Sequence, residues 1–260
     1  MDDNTFRKSI DEISDNLLKN GVVCIKNFFN ETEQIMIQEW ANRLEELPEV
    51  TGKYMKYYET SNNNNILSRI EYFVKYNSDI ENFLKYKINP ILNDLCKKNM
   101  TLFKDKLNWK MGGGNGFKPH QDHPAWDDLE PSIFYSVAIS ADISSIDKGC
   151  LQFSRKEDKI LPFNTEGILP NISDTLDFKF VETTPRDLVV FDSFTPHKSD
   201  KNITNESRRI FYFTYNDLLE GDFYEEYNKN KRRLFPPNIE RDGNKVYDNK
   251  YNLANPIKKN

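Results

Sequence analysis

Two regimes of hydrophobic spacing divide the chain. Up to about residue 100 the apolar positions mostly recur every three or four residues, the period of a helix. A polar helix ends on Leu17 and Leu18 and is stopped by Asn20-Gly21. VVCI, residues 22–25, reads as a short buried strand. Asn30 is placed to cap the next helix, with Glu33 three positions on completing a capping box. That helix runs to about Leu47, with Ile35, Ile37, Trp40, Leu44 and Leu47 roughly on one side, and Pro48 ends it. TGKYMKYYETSNNNN, residues 51–65, is aromatic and then polar and is expected to be a loop. Segments 66–75 and 79–99 read as helical again, with a break near Asn89-Pro90.

From residue 101 the period shortens. LFKDKLNWKM alternates, and strand-like runs recur at 133–141, 150–153, 178–182, 187–192 and 209–216, separated by turn residues. Helices followed by short strands predict a mainly β chain with flanking helices (α+β), whose core is a β-sandwich or jelly roll buttressed by helices. At 260 residues a single domain over 1–260 is the default, with a helical part over about 1–100, a core over about 101–216 and a C-terminal strap over 217–260. The strap is expected to be extended because the tail is polar, lacks a period and contains FPP at 235–237.

Composition narrows the partners. Hydrophobic residues are 37% and aromatic residues 13%, enough for a sizeable core, and the net charge is -5. A mildly acidic chain without a basic block gives no electrostatic footprint for nucleic acid. The largest basic cluster, Lys229, Lys231, Arg232 and Arg233, is short and reads as a solvated face. Cys24, Cys96 and Cys150 are far apart and each sits in an apolar setting, as reduced core thiols do. No secretory signal or membrane span is visible, so the expectation is a cytoplasmic protein with a small-molecule substrate and no membrane partner. The oligomeric state is left open.

Histidine is scarce, with three in the chain, yet two fall within PHQDHPAW at 119–126. On a strand or at its end, His120 and Asp122 point to the same side, and Gln121 and His123 to the other. His197 follows VVFDSFTP, a strand that could return beside the first and add a third ligand. Two histidines and one aspartate on one face of a metal leave the other face open, the arrangement of non-haem Fe(II) oxygenases. The plain alternative is a surface His120 and a turn His197. Such oxygenases need a dicarboxylate co-substrate whose far carboxylate meets a buried cation. Arg208 begins the strand RIFYFTYN eleven residues after His197 and offers a planar fork, with the Ser199 hydroxyl as helper. Arg209 is the competitor and should face the opposite way.

His120-Gln121-Asp122, Gly149-Cys150-Leu151, the run 185–192, His197-Lys198-Ser199, Asn202 and Arg208 together resemble the phytanoyl-CoA dioxygenase family of Fe(II)/2-oxoglutarate-dependent oxygenases. MKYYE (55–59), LSRIEYF (67–73) and LFKDKLNWK (102–110) are similar to a bacterial branch of small-metabolite hydroxylases in that family, which includes hydroxylases of 2-aminoethylphosphonate. The resemblance implies a double-stranded β-helix, a cupin-like jelly roll. It implies Fe(II) held by His120, Asp122 and His197, 2-oxoglutarate anchored by Arg208, and O2 as oxidant. The implied reaction is hydroxylation of an aliphatic carbon of a small amino acid-like or phosphonate-like metabolite, with release of succinate and CO2. Halogenating relatives lack the carboxylate, so Asp122 argues for hydroxylation. Desaturation, oxidative cyclisation, or a cupin-like metal isomerase or hydrolase are the alternatives. Ser154-Arg155-Lys156 departs from the Gly-Ser-His common in relatives at that point, which bears on substrate range.

Other residues have two readings each. The glycines of MGGGNGFKPHQD make either a mobile flap or a tight turn. Lys104, Lys106, Asn108 and Lys110 share one face of an alternating strand. They are either solvated, the plainer expectation, or point into the barrel, where mid-strand Lys106 and Asn108 would serve 2-oxoglutarate. Trp126 is a candidate wall of the substrate pocket. Tyr57, Tyr58 and Arg69, with Tyr54, are candidates to cover its opening from the helical half; each aromatic residue reads equally well as core.

Overall fold

The computed structural model describes residues 3–61, 64–126, 129 and 131–247. In chain order they form α1 (Asp3–Asn20), β1 (Val22–Ile25), α2 (Glu31–Glu46), β2 (Met55–Ser61), β3 (Asn64–Glu71), α3 (Ser78–Phe83), α4 (Asn89–Cys96), β4 (Met100–Lys110) and β5 (Phe117–His120). There follow β6 (Phe134–Ser140), β7 (Leu151–Phe153), β8 (Phe163–Asn164), β9 (Gly167–Ile168), α5 (Pro170–Ser173), β10 (Lys179–Val181), β11 (Leu188–Asp192), β12 (His197–Ser199), β13 (Arg208–Asp217) and α6 (Tyr224–Leu234).

Local signals account for the helix ends. Gly21, at φ +80°, turns the chain from α1 into β1. The Asn30 side chain accepts from the Glu33 amide, and the Glu33 carboxylate accepts from the Asn30 amide, each at 2.9 Å. Ile37, Trp40 and Leu44 of α2 are buried, but Ile35 is 56% exposed. Two residues along a helix is a rotation of about 200°, which carries Ile35 to the far side from Ile37. The expected break at Asn89-Pro90 is a wider turn inside a continuing helix. Leu84–Ile88 is π-helical, and the Asn89 amide bonds the Leu84 carbonyl. The proline ring would crowd the carbonyl four residues back, and the wider turn absorbs it.

Two expectations fail between 51 and 75. The segment expected as a loop contains β2, and the segment expected as helix contains β3; the two pair antiparallel, with a bulge at Tyr57/Tyr58. The apolar spacing of Leu67, Ile70, Phe73 and Val74 imitates a helix because only one face of β3 meets the apolar core. Its other face carries Arg69 and Glu71.

The strands make two facing sheets, ordered β1-β11-β6-β13-β4-β3-β2 and β10-β7-β12-β5, with β8-β9 as a separate hairpin. Helical and sheet parts share one apolar core on the outer face of the large sheet, where Leu17, Ile37, Trp40 and Leu95 meet Val137, Leu188 and Phe213. Between the sheets, Ala138, Val189, Phe191 and Ile210 pack on Leu151 and Phe153. The rest of that inner face is polar. Register sets Arg208 opposite Lys110, Tyr212 and Glu71 opposite Lys106, and Arg69 opposite Asn108.

The tail departs from an extended strap. After β13 it forms α6, whose Tyr227, Asn228 and Lys231 are buried. Tyr227 packs on Phe103 with ring centroids 4.5 Å apart. The basic cluster is therefore not a solvated face throughout: Lys231 is 1% exposed and pairs with Glu71, and Arg232 pairs with Glu240. Residues 248–260 of the expected strap lie outside the described residues. No helix among the described residues is long and apolar enough to cross a membrane.

Candidate active site

The small sheet brings the histidines together. β12 runs antiparallel to β5 with His197 opposite His120, and their ring centroids are 4.2 Å apart. Each Nδ1 lies on a backbone carbonyl, His120 on Lys118 O at 2.8 Å and His197 on Thr195 O at 3.0 Å. Those bonds require the proton on Nδ1 and leave both Nε2 lone pairs aimed at the same space. Asp122 is not on the strand. β5 ends at His120, and Asp122 has helical backbone angles at the start of a 3-10 turn. Its amide and that of His123 both donate to Ser193 O at 3.1 Å. The turn, not strand alternation, swings its carboxylate back, so that Oδ1 lies 3.9 Å from Nε2 of each histidine.

These three donors lie within 4.8 Å of one another, the one such group found among the described residues. Burial, and then His197, push the His120 imidazolium down to about 3, so the ring is neutral at ordinary pH. Burial works against the Asp122 carboxylate, but His197, His120 and Lys106 outweigh it and hold its pKa below the usual range. Two imidazoles with Nε2 turned inward and a carboxylate, all half-buried or buried, are a donor set that fits a divalent metal with open positions. Gln121 points away and ties down the neighbouring loops, donating to Lys159 O and Phe194 O and accepting from Leu161 N. His123 is buried, bonded to Ser193 Oγ and stacked on Phe194 at 3.9 Å, outside the ligand group.

Arg208 and Arg209 part as adjacent strand residues do. Arg209 faces the helical layer, with Nε 2.9 Å from Asp142 and Nη1 2.7 Å from Asn42. Arg208 is buried in the barrel, and its Nε and Nη1 have no hydrogen-bond partner among the described residues. A buried guanidinium with two unsatisfied N–H groups is costly unless an anion completes it. Beside it is Lys110, whose Nζ donates to Ser199 Oγ at 2.8 Å and Asp200 O at 2.6 Å. Burial, and then Arg208, push the Lys110 ammonium down to about 6. Lys110 is the residue that sequence reasoning passed over in favour of mid-strand Lys106 and Asn108. Only the pairing of β4 with β13 reveals that the end of the strand, not its middle, meets Arg208.

The backbone around Ser199 leaves no room for side chains. A Cβ on Gly116 would come within 2.0 Å of Ser199 O, and one on Gly149, at φ +65°, within 2.2 Å of Asp200 O. The glycine run before β5 is a tight turn: Gly113 N–H bonds Asn202 O, and Asn202 N–H bonds Gly114 O, both at 2.9 Å.

The remaining candidates scatter. Lys106 Nζ sits 4.8 Å from the Tyr212 ring centroid, and Asn108 Oδ1 is buried without a partner among the described residues. The β4 lysines thus line the barrel, against the plainer expectation of solvation. Trp126 belongs to an aromatic cluster with Phe103, Phe134 and Tyr227. Tyr57 and Tyr58 come from β2 and Arg69 from β3, not from a helical half. The Tyr57 hydroxyl donates to Phe235 O at 2.9 Å while its ring stacks on Phe235, a packing role. The Tyr58 hydroxyl lies against Glu49, and burial together with that carboxylate raises its pKa. Arg69 lies over the Tyr57 ring at 4.4 Å and pairs with Glu71 at 3.2 Å.

The model of the phytanoyl-CoA dioxygenase (PhyH) family matches residues 17–210, a span that holds every residue of this site. The chain belongs to the phytanoyl-CoA dioxygenase family. It is 39% identical over 248 residues to a 2-aminoethylphosphonate dioxygenase of uncultured bacterium HF130_AEPn_1, covering 92% of this chain and 95% of that one. It is 33% identical over 221 residues to a methylphosphonate hydroxylase of Gimesia maris, covering 84% of each. Among solved structures it superposes on EctD from S. alaskensis with 2-oxoglutarate and 5-hydroxyectoine at a TM-score of 0.68. That match is 16% identical and covers 80% of this chain and 76% of the other, a likeness of fold. Membership in the PhyH family makes this chain an Fe(II)- and 2-oxoglutarate-dependent dioxygenase with a jelly-roll core.

Proposed function

We propose that the protein hydroxylates an aliphatic carbon of a small phosphonate, with His120, Asp122 and His197 holding Fe(II), and Arg208, Lys110 and Ser199 receiving the far carboxylate of 2-oxoglutarate. The observation that carries the site reading is the convergence of three metal-type donors in the same barrel as a buried guanidinium with two unsatisfied N–H groups. The substrate class rests on two relatives named for phosphonates. When bound, iron supplies dioxygen activation driven by oxidative decarboxylation of 2-oxoglutarate, with succinate and CO2 as its products.

The chain's own part is placement. The carbonyls of Lys118 and Thr195 fix both imidazole rings with Nε2 inward. The Ser193 carbonyl fixes the turn that aims Asp122. Arg208 orients a dicarboxylate through its planar fork. Phe153 and Phe191, at 5.7 and 5.0 Å from the His197 ring, keep water off the ligand side. With iron bound, Asp122 would be the carboxylate ligand that leaves no vacancy for a halide, which favours hydroxylation.

The test is succinate formation by the iron-loaded protein with 2-oxoglutarate in air, against a panel of small phosphonates, amino acids and acyl thioesters. A phosphonate should raise succinate release well above background and give a product heavier by one oxygen. Stimulation by an amino acid or thioester and by no phosphonate would overturn the substrate class.

A further inference from the structure

On the side of the barrel away from Arg208, the inner wall carries more positive charge than the described residues balance. Lys104 and Lys106 lie on β4, Arg69 on the neighbouring β3, and Lys231 reaches in from α6. Glu71 lies 3.2 Å from Arg69 and accepts from Lys231. Lys104 and Lys106 have no hydrogen-bond acceptor or ion-pair partner among the described residues. They rest on aromatic faces, Lys104 at 5.3 Å from the Trp126 centroid and 5.7 Å from that of Tyr227, and Lys106 at 4.8 Å from that of Tyr212. A ring face is a weak substitute for the water an ammonium loses on burial.

The ionisation of the cluster agrees with a surplus of positive charge. Burial raises the Glu71 carboxyl, but Lys231, Arg69 and Lys104 outweigh it and hold it down at about 2. Burial, and then Lys104, push the Lys106 ammonium down to about 8 despite the pull of Asp122 and Glu71. Asp122 does not cancel this charge once it ligates a divalent metal.

Position separates this pole from the one at Arg208. Alternate residues of a strand are about 7 Å apart. Going from Lys110, which meets Ser199, the same face of β4 presents Asn108, then Lys106, then Lys104. Lys106 and then Lys104 act on the Asp122 carboxylate, so this pole faces the same cavity as the metal-type donors.

We propose that Lys104, Lys106 and Arg69 form a second anion site that takes the phosphonate dianion of the substrate and thereby presents its neighbouring carbon to the metal. The inference rests on the phosphonate reading above and names the residues that enforce it. A doubly charged tetrahedral head with three acceptor oxygens matches three converging cations better than a singly charged one does. Glu71 and Lys231 are positioning residues, since they hold Arg69 and close the wall behind it.

The experiment compares three ligands with one skeleton and different heads: 2-aminoethylphosphonate, 2-aminoethylsulfonate and 3-aminopropanoate. Binding to protein loaded with iron and 2-oxoglutarate is measured without oxygen by calorimetry, and KM and kcat are measured in air. The parent should bind the phosphonate at least roughly tenfold more tightly than the other two. Lys104→Met and Lys106→Met should each weaken phosphonate binding roughly tenfold or more, narrow the gap to the sulfonate, and leave 2-oxoglutarate affinity within about twofold. Lys104→Arg and Lys106→Arg should recover much of the loss, which separates charge from packing. If the parent binds no phosphonate while binding 2-oxoglutarate, the substrate class itself is wrong. If the parent binds phosphonate and both Met variants, with intact 2-oxoglutarate affinity, bind it as tightly, the anion site is overturned while the substrate class stands. Met variants that lose 2-oxoglutarate binding too, without rescue by Arg, also overturn it.

Discussion

Arg208 is the residue whose environment says most about what it awaits. It is buried, adjoins Lys110, and has two donor nitrogens without acceptors among the described residues. Arg208→Ala should raise the KM for 2-oxoglutarate by roughly ten- to a hundredfold with the fold retained, and Arg208→Lys should recover little, because an ammonium cannot make the paired fork contact. Steady-state kinetics at varied 2-oxoglutarate decide this; an unchanged KM would move the anchor elsewhere. Lys110 adds a pH signature. Its ammonium is pushed down to about 6 in the free protein, and a bound carboxylate would raise it. Binding then takes up a proton at any pH between those two values, so 2-oxoglutarate affinity should fall as pH rises above about 6. Lys110→Met should flatten that slope, as calorimetry across pH would reveal. The metal ligands and Arg208 were legible because their types are scarce or chemically particular and their order along the chain is informative. Lys110 was not, because four alternating polar positions look alike until strand pairing says which of them meets Arg208.

At the scale of elements, the close approach of β5, β12 and the loop before β7 is what forms the pocket around Ser199. Gly116→Ala would drive a Cβ to within 2.0 Å of Ser199 O, a backbone atom. That overpacking should cost about 1–3 kcal/mol and shift Ser199 and Phe117 relative to Lys110. The variant should show a lower melting temperature together with a raised KM for 2-oxoglutarate. A wild-type KM would mean that the strand contact serves folding alone. The helical N-terminal elements and the later strands were readable from their periods. β2 and β3 were not, because the inner face of this hairpin lines a charged cavity instead of an apolar core. A strand with Arg69 and Glu71 on its inner face does not show the alternation that identifies a half-buried strand.

Across the whole molecule, α6 is tied to the barrel by an ion pair between two residues each 1% exposed on their side chains, Lys231 and Glu71. Glu71 also pairs with Arg69 at 3.2 Å, so Lys231→Met removes one of its two cations and should destabilise the fold by about 1.5–3 kcal/mol in denaturant titrations. The carboxyl of Glu71 is held at about 2, below its unfolded value. Its contribution is therefore fully present above about 4.5 and is lost as pH falls toward 2, a decline that Glu71→Leu/Lys231→Met should lack. The progression from helices to strands was visible along the chain. The helical tail was not, because its buried face is built from Tyr227, Asn228 and Lys231, and a buried lysine reads as a surface one until its partner is known.

The central claim is that three separated side chains share one ferrous ion and that a buried arginine faces it. Crystals grown without oxygen in Fe(II) and 2-oxoglutarate, with anomalous data collected at the iron edge, address it directly. The account predicts one strong peak among Nε2 of His120, Nε2 of His197 and the carboxylate of Asp122, with the co-substrate's far carboxylate on Arg208. Iron bound elsewhere, or enclosed entirely by protein ligands, would contradict it.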